Sequence, residues 1–170
     1  MIILGIDPGL QKTGWGVIAK QGSALRYVAC GLIKTDPAQN LAARLAVLHR
    51  GMCAVLEEHK PESAAVEETF VNKNAASALK LGQARGVALA VPALYGLTVA
   101  EYTANQVKKS IVGTGHAAKE QIGAMVRVLL PTAQKAGQFG ADEADALAVA
   151  ITHAHYSKIK SVIPAQAGIW

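Results

Sequence analysis

Aromatic residues are scarce, at 5% of the chain, and there are only two cysteines. Cys30 and Cys53 lie far apart in apolar surroundings, VACGLI and GMCAVL. They lack the Cys-x-x-Cys or Cys/His spacing read as a zinc site, so both are expected to be buried free thiols. Acidic residues are few as well, 12 against 17 lysines and arginines. The resulting net charge of +5 and pI near 9.3 suit contact with a polyanion without requiring it. No apolar run is long enough to cross a bilayer without Gly, Pro or a charge, and the opening MIILGID lacks a basic flank and cleavage site. A soluble, cytoplasmic protein is therefore expected. Internal repeats are absent. With 170 residues, 51% of them hydrophobic, the chain can build one core and hardly two. Residues 1–160 read as one domain and the aperiodic tail SVIPAQAGIW, 161–170, as irregular.

Ile2, Ile3, Leu4 and Ile6 form a short apolar run of the kind buried on both faces of a sheet, and it stops at Asp7 before Pro8-Gly9. Gly14 to Lys20 and Leu25 to Ile33 read as two further strands joined by a turn at Gln21-Gly22-Ser23. That antiparallel start is not a Rossmann unit. Asp36-Pro37 supplies an N-cap and first-turn proline for a helix in which Leu41, Leu45, Leu48, Met52 and Val55 recur at helical spacing, up to His59-Lys60-Pro61. A strand at Ala64 to Glu67, a loop through Phe70 to Asn74 and a small-residue helix from Ala75 to about Leu89 follow. Thr98 to Tyr102 reads as a strand, Ala104 to Lys109 as a helical turn, and Ala117 to Leu130 and Ala141 to Lys158 as helices. Helices alternating with strands after such a start predict an α/β fold whose mixed sheet is covered on both faces.

Apolar strands twice end on carboxylates, at Asp7 and Glu67, which is the sheet edge where open α/β folds place their sites. Asp142 and Asp145, three apart at the start of an Ala-rich helix, lie on one helix face. Four acids gathered in one cleft would repel one another unless divalent cations lay between them, and Mg²⁺ prefers such hard oxygen ligands. Each acid also has an ordinary structural alternative: Asp7 as a turn former before Pro-Gly, Glu67 as a surface acid, Asp142 as a helix cap.

Four segments make the pattern specific. GIDPGLQKTGWGVI, AVEETFVNKNAASALKLGQARGVAL, EYTANQVKKSIVGTGHAAKEQI and ADEADALAVAITHAH resemble, in order and spacing, the signature regions of the RuvC Holliday junction resolvases. The resemblance covers all but the end of the chain. It implies an RNase H-like fold, three layers around a mixed five-stranded sheet, and a homodimer. The activity it implies is that of a metal-dependent endonuclease that nicks two like-polarity strands of four-way junction DNA in homologous recombination and repair, leaving 5′-phosphate and 3′-hydroxyl ends. By the same resemblance Asp7, Glu67, Asp142 and Asp145 would be catalytic and would hold two Mg²⁺ ions per subunit, with Mn²⁺ able to substitute. Glu143 stands where the family pattern needs no acid. A complex with a branch-migration helicase is a further implication.

Lys108 and Lys119 match lysines that the family uses near the scissile phosphate and the DNA backbone, Lys119 with a catalytic role; without the resemblance they would read as solvated surface charges. Phe70 resembles the family's aromatic at the junction centre, where it would stack on a base, the alternative being packing over the sheet edge. Lys73, Lys80 and Arg85 are compatible with a backbone track. Ala75, Ala76, Ala78, Gly82 and Gly86 leave their helix smooth enough for close approach of another helix, within the core or across a dimer twofold. His116, His153 and His155 lack zinc spacing and receive no catalytic role. Two rivals remain open at this stage. GIDPGLQKTGWG also looks like the first phosphate loop of actin-like ATPases and sugar kinases, although these need a second domain. A recognition protein that only shapes junction DNA is the other.

Overall fold

The structure is a computed structural model that describes residues 1–68, 74–115, 118–135 and 139–160. Phe70, Lys73, His116 and the tail 161–170 lie outside the described residues. The elements run β1 (Ile2–Asp7), β2 (Lys12–Gln21), β3 (Ala24–Lys34), α1 (Leu41–His59), β4 (Ser63–Glu68), α2 (Ala75–Leu94), β5 (Thr98–Thr103), α3 (Ala104–Val112), α4 (Lys119–Leu129) and α5 (Ala141–Lys160), with a 3-10 turn at Pro131–Lys135 before α5. The sheet order is β3-β2-β1-β4-β5. Strands β1 to β3 pair antiparallel, whereas β4 lies parallel to both β1 and β5. This is the RNase H-like α/β arrangement expected from the resemblance.

Alternation along the strands divides the core in two. Leu4, Ile6, Ala64 and Val66 point to one face and pack with Leu48, Met52 and Leu56 of α1 and Ala84, Ala88 and Val91 of α2. Ile3 and Ala65 point to the other face and meet Val107 and Ile111 of α3, Ile122 and Val126 of α4, and Leu147, Ala150 and Ile151 of α5. Helix α5 is sheathed almost completely: Ala146 through Ile151 are all at 0% exposure. That explains why it is small and apolar on every side, where a surface helix would carry a polar stripe.

Three details depart from the sequence-based expectation. Helix α1 starts at Leu41, not next to Asp36-Pro37, because the Asn40 side chain caps it by accepting from the Ala43 N–H at 2.9 Å, while Asp36 Oδ1 accepts from Ala38 N–H in the preceding turn. The expected helical turn after β5 is the full helix α3, closed in front by a reciprocal Thr103/Gln106 capping box and behind by Gly113 at φ 83°. Both cysteines are partly exposed, not buried.

The approach of α5 to the sheet is set by glycine. A Cβ on Gly5 would stand 2.2 Å from the Ala146 carbonyl oxygen and 2.5 Å from the Ala150 nitrogen, and one on Gly14 would stand 2.5 Å from the Asp142 oxygen. We therefore expect Gly5→Ala to lower the free energy of unfolding by about 3 kcal/mol, at the upper end of typical overpacking costs. Urea denaturation measures this; a loss below about 1 kcal/mol would mean that α5 can lift away cheaply.

Candidate active site

The register that builds the core also places the acids. On β1 the face toward α5 carries Ile3, Gly5 and then Asp7; on β4 it carries Ser63, Ala65 and then Glu67. Ile6 pairs with Val66 in the parallel ladder, so Asp7 and Glu67 follow side by side at the carboxyl ends of adjacent strands. Helix α5 begins over the same edge, where Asp142 backs onto Gly14 and Asp145 lies one turn further on.

Beside these acids, α3 and α4 wall a cleft of about 280 Å³. Its polar lining is Glu67, Asp145, Lys108 and Lys119, and its apolar lining is Ala104, Val107 and Ile122. Lys119 Nζ stands 2.8 Å from Asp145 and 3.9 Å from Asp142. The Lys119 side chain is 57% exposed, so these ion pairs contribute little to stability; their importance is where they put a positive charge.

Burial pushes Asp7 up from 3.8 to about 7, with Glu67, Asp145 and Asp142 adding in the same direction and Lys119 opposing. Glu67 rises from 4.5 to about 7 through burial and then the charge of Asp145, against Lys108 and Lys119. The hydrogen bond to Asp145 raises the Lys119 ammonium, which therefore stays a cation. The four acids thus share one electrostatic neighbourhood. Among the described residues, however, no three acidic, histidine or cysteine side chains already converge on one ion. The Lys119 ammonium stands between Asp142 and Asp145 instead.

Other sequence candidates sort differently. Arg85 is ion-paired with Glu101 of β5, which commits its charge within the fold. Lys80 is exposed on α2. His153 is buried in the core, 3.0 Å from the Tyr102 hydroxyl, and His155 lies 3.0 Å from the Ser110 hydroxyl. The clamp on the loop after Asp7 was not foreseen. Thr13, buried, donates to the Gly9 carbonyl at 2.7 Å; Thr35 donates to the Leu10 carbonyl at 2.6 Å; and Arg44 of α1 reaches both Thr35 and Leu10. Only Thr13 sat inside a recognisable motif, because the others come from distant segments.

The profile of the family described as crossover junction endodeoxyribonuclease RuvC matches residues 3–153. The chain is 56% identical over 154 residues to the crossover junction endodeoxyribonuclease RuvC of Bradyrhizobium diazoefficiens, covering 91% of this chain and 86% of that one. It is 58% identical to the enzyme of the same name from Rhodopseudomonas palustris, covering 91% and 87%. The structure of Thermus thermophilus RuvC in complex with Holliday junction substrate superposes with a TM-score of 0.85 at 38% identity, over 94% of this chain and 96% of that one. With a profile match across nearly all the described residues and relatives this similar along most of their length, the chain belongs to the RuvC crossover junction endodeoxyribonuclease family.

Proposed function

We propose that this protein is a Holliday junction resolvase, a metal-dependent endonuclease that nicks four-way DNA junctions. The observation that carries the reading is the meeting of Asp7 and Glu67 from adjacent strands with Asp142 and Asp145 of α5, next to Lys108 and Lys119. A protein that only recognised junctions would have no use for partly buried acids that oppose one another's ionisation. The likeness to a RuvC complexed with junction DNA supports the substrate class.

The donor set fits a hard divalent cation: four carboxylates, two of them held near pKa 7 by burial and by their acidic neighbours, ionise fully only when positive charge joins them. Asp7, Glu67, Asp142 and Asp145 would hold Mg²⁺, with Mn²⁺ as a substitute. When bound, two such ions would supply an attacking hydroxide and stabilise the leaving 3′ oxygen, giving 5′-phosphate and 3′-hydroxyl nicks. Lys119, kept protonated by Asp145, acts as a point charge toward a phosphate rather than as a proton acceptor. Lys108, across the same cleft, positions the backbone of the strand.

Resolution takes two nicks, so we further propose a homodimer. The exposed face of α2 carries Ala75, Ala78, Gly82 and Leu79, the last 67% exposed, which suits close packing of a second copy. A twofold there would present one cleft to each of two like-polarity strands, as needed for repair of recombination intermediates.

Labelled four-way junctions should be nicked in pairs with Mg²⁺, and neither linear duplex nor a chelator-treated reaction should give product. Asp7→Asn should slow cleavage by more than about 100-fold while leaving junction binding intact, since even outer-sphere changes at metal sites cost 10–100-fold. Binding without cleavage at every Mg²⁺ concentration would reduce the protein to a recognition module.

The shifted acids also predict a stability profile. Folded-state values near 7 lie above the ordinary 3.8 and 4.5, so the stabilisation from protonated Asp7 and Glu67 is complete below about pH 4 and is lost as pH rises through 7. In chelator, the urea midpoint should fall between pH 5 and pH 8, less so in Asp7→Asn, and Mg²⁺ should cancel the fall. A midpoint independent of pH would show that neither burial nor the neighbouring acids hold Asp7 and Glu67 above the ordinary carboxylate range.

A further inference from the structure

Across the acids from Lys108 and Lys119, the sheet carries a second pair of lysines that the cleft leaves unused. Lys12 of β2 and Lys34 of β3 are direct cross-strand partners. Partners in register share a face of the sheet, with Cβ atoms about 5 Å apart. That face is the acidic one: Gly14, next but one to Lys12, looks onto the backbone of Asp142, and Gly14 is also the partner of Asp7 in the neighbouring ladder. Lys12 therefore stands about 7 Å further out along β2 than the residue opposite Asp7, past the point where α5 meets the sheet. Both lysines are exposed, and among the described residues no ion pair takes in either of them. Like charges directly opposite each other destabilise a sheet. Yet the backbone beneath this pair is tied down. Thr35, next to Lys34, donates its N–H to the Gln11 carbonyl at 3.1 Å and its hydroxyl to the Leu10 carbonyl, while Thr13, next to Lys12, is the buried anchor of Gly9. A lysine on the edge strand β3 would discourage edge-to-edge pairing, but that purpose needs no second lysine opposite it.

We propose that Lys12 and Lys34 together clamp a backbone phosphate of the junction arm that leaves the acids on the β2/β3 side. The inference rests on the nuclease reading and adds a second anchor to it. Lys108 and Lys119 hold the strand on the Glu67 side of the acids, and the Lys12/Lys34 pair holds DNA on the Asp7 side. A lysine serves a phosphate as a point charge, and one phosphate set between two such charges relieves the repulsion they exert on each other in the free protein. Binding also displaces condensed counterions from the DNA. Contacts of this kind fix register and orientation without reading sequence. An arm held on both sides of the acids has little freedom to pivot about the scissile phosphate.

The test is the salt dependence of binding to a labelled four-way junction, measured in chelator so that the DNA stays whole. The double variant Lys12→Gln/Lys34→Gln should bind about 10-fold or more weakly than wild type at about 0.1 M salt. Its plot of log affinity against log salt should be shallower by about 2, roughly one per lysine. Lys12→Arg/Lys34→Arg should keep the wild-type slope. So should Lys60→Gln, an exposed lysine that follows α1 at the opposite edge of the sheet, where Glu62 meets Ile2. The loss should be equal for junctions of different core sequence. Without DNA, the urea midpoint of the double glutamine variant should match or exceed that of wild type, because a like-charge pair has been removed. Wild-type affinity and slope in that variant, or a loss confined to one core sequence, would overturn the clamp and leave the nuclease reading in place. A wild type that neither binds the junction in chelator nor nicks it with Mg²⁺ would overturn both.

Discussion

The close contact between α5 and the sheet is the constraint on which the rest depends. Without Cβ atoms at Gly5 and Gly14, the backbone of α5 rests directly on β1 and β2, with the Ala146 carbonyl over Gly5 and the Asp142 carbonyl over Gly14. A helix one methyl group further out would carry Asp142 and Asp145 away from Asp7 and Glu67. The small residues of α5, buried on every side, are the other half of the same fit. Packing and electrostatics are thus one problem here: the helix is drawn in by dispersion and apolar burial, and that closeness creates the repulsion felt by Asp7.

Two devices contain the repulsion. Lys119, at the first turn of α4, sets a cation against Asp145 and Asp142, and Lys108 of α3 lowers the cost of charging Glu67. The loop after Asp7 is tied by Thr13, Thr35 and Arg44, which fixes the backbone on which that strand end opens. Both devices come from elements distant in sequence, which makes the site a property of the completed fold.

Much of this was legible beforehand. The run Ile2 to Ile6 ending on Asp7, the apolar helix opening with Asp142, and the strand ending on Glu67 announced themselves through composition and period, because buried strands and a fully sheathed helix leave little freedom of residue type. Capping was less legible: Asp36 and Asn40 are chemically similar, and which one starts α1 is decided by where Thr35 and Leu10 hold the chain. The engagement of Arg85 with Glu101 was hidden because its partner lies on another element.

The doubled glutamate of β4 carries one more lesson. Glu67 points toward α5 while Glu68, its neighbour on the pleat, points the other way. Deletion of a single residue upstream in the strand would still deliver a carboxylate, that of Glu68, to the cleft, so the acid itself is no check on such an error. The check is steric and apolar: the same slip would send Val66 into the space beneath α5 that now accepts only Ala65, and would strip Ala64 and Val66 from the α1/α2 core. Fidelity of the reactive centre is therefore enforced by hydrocarbon a few ångströms below it, and natural variation in strand length should be purged for reasons of folding before chemistry is ever consulted.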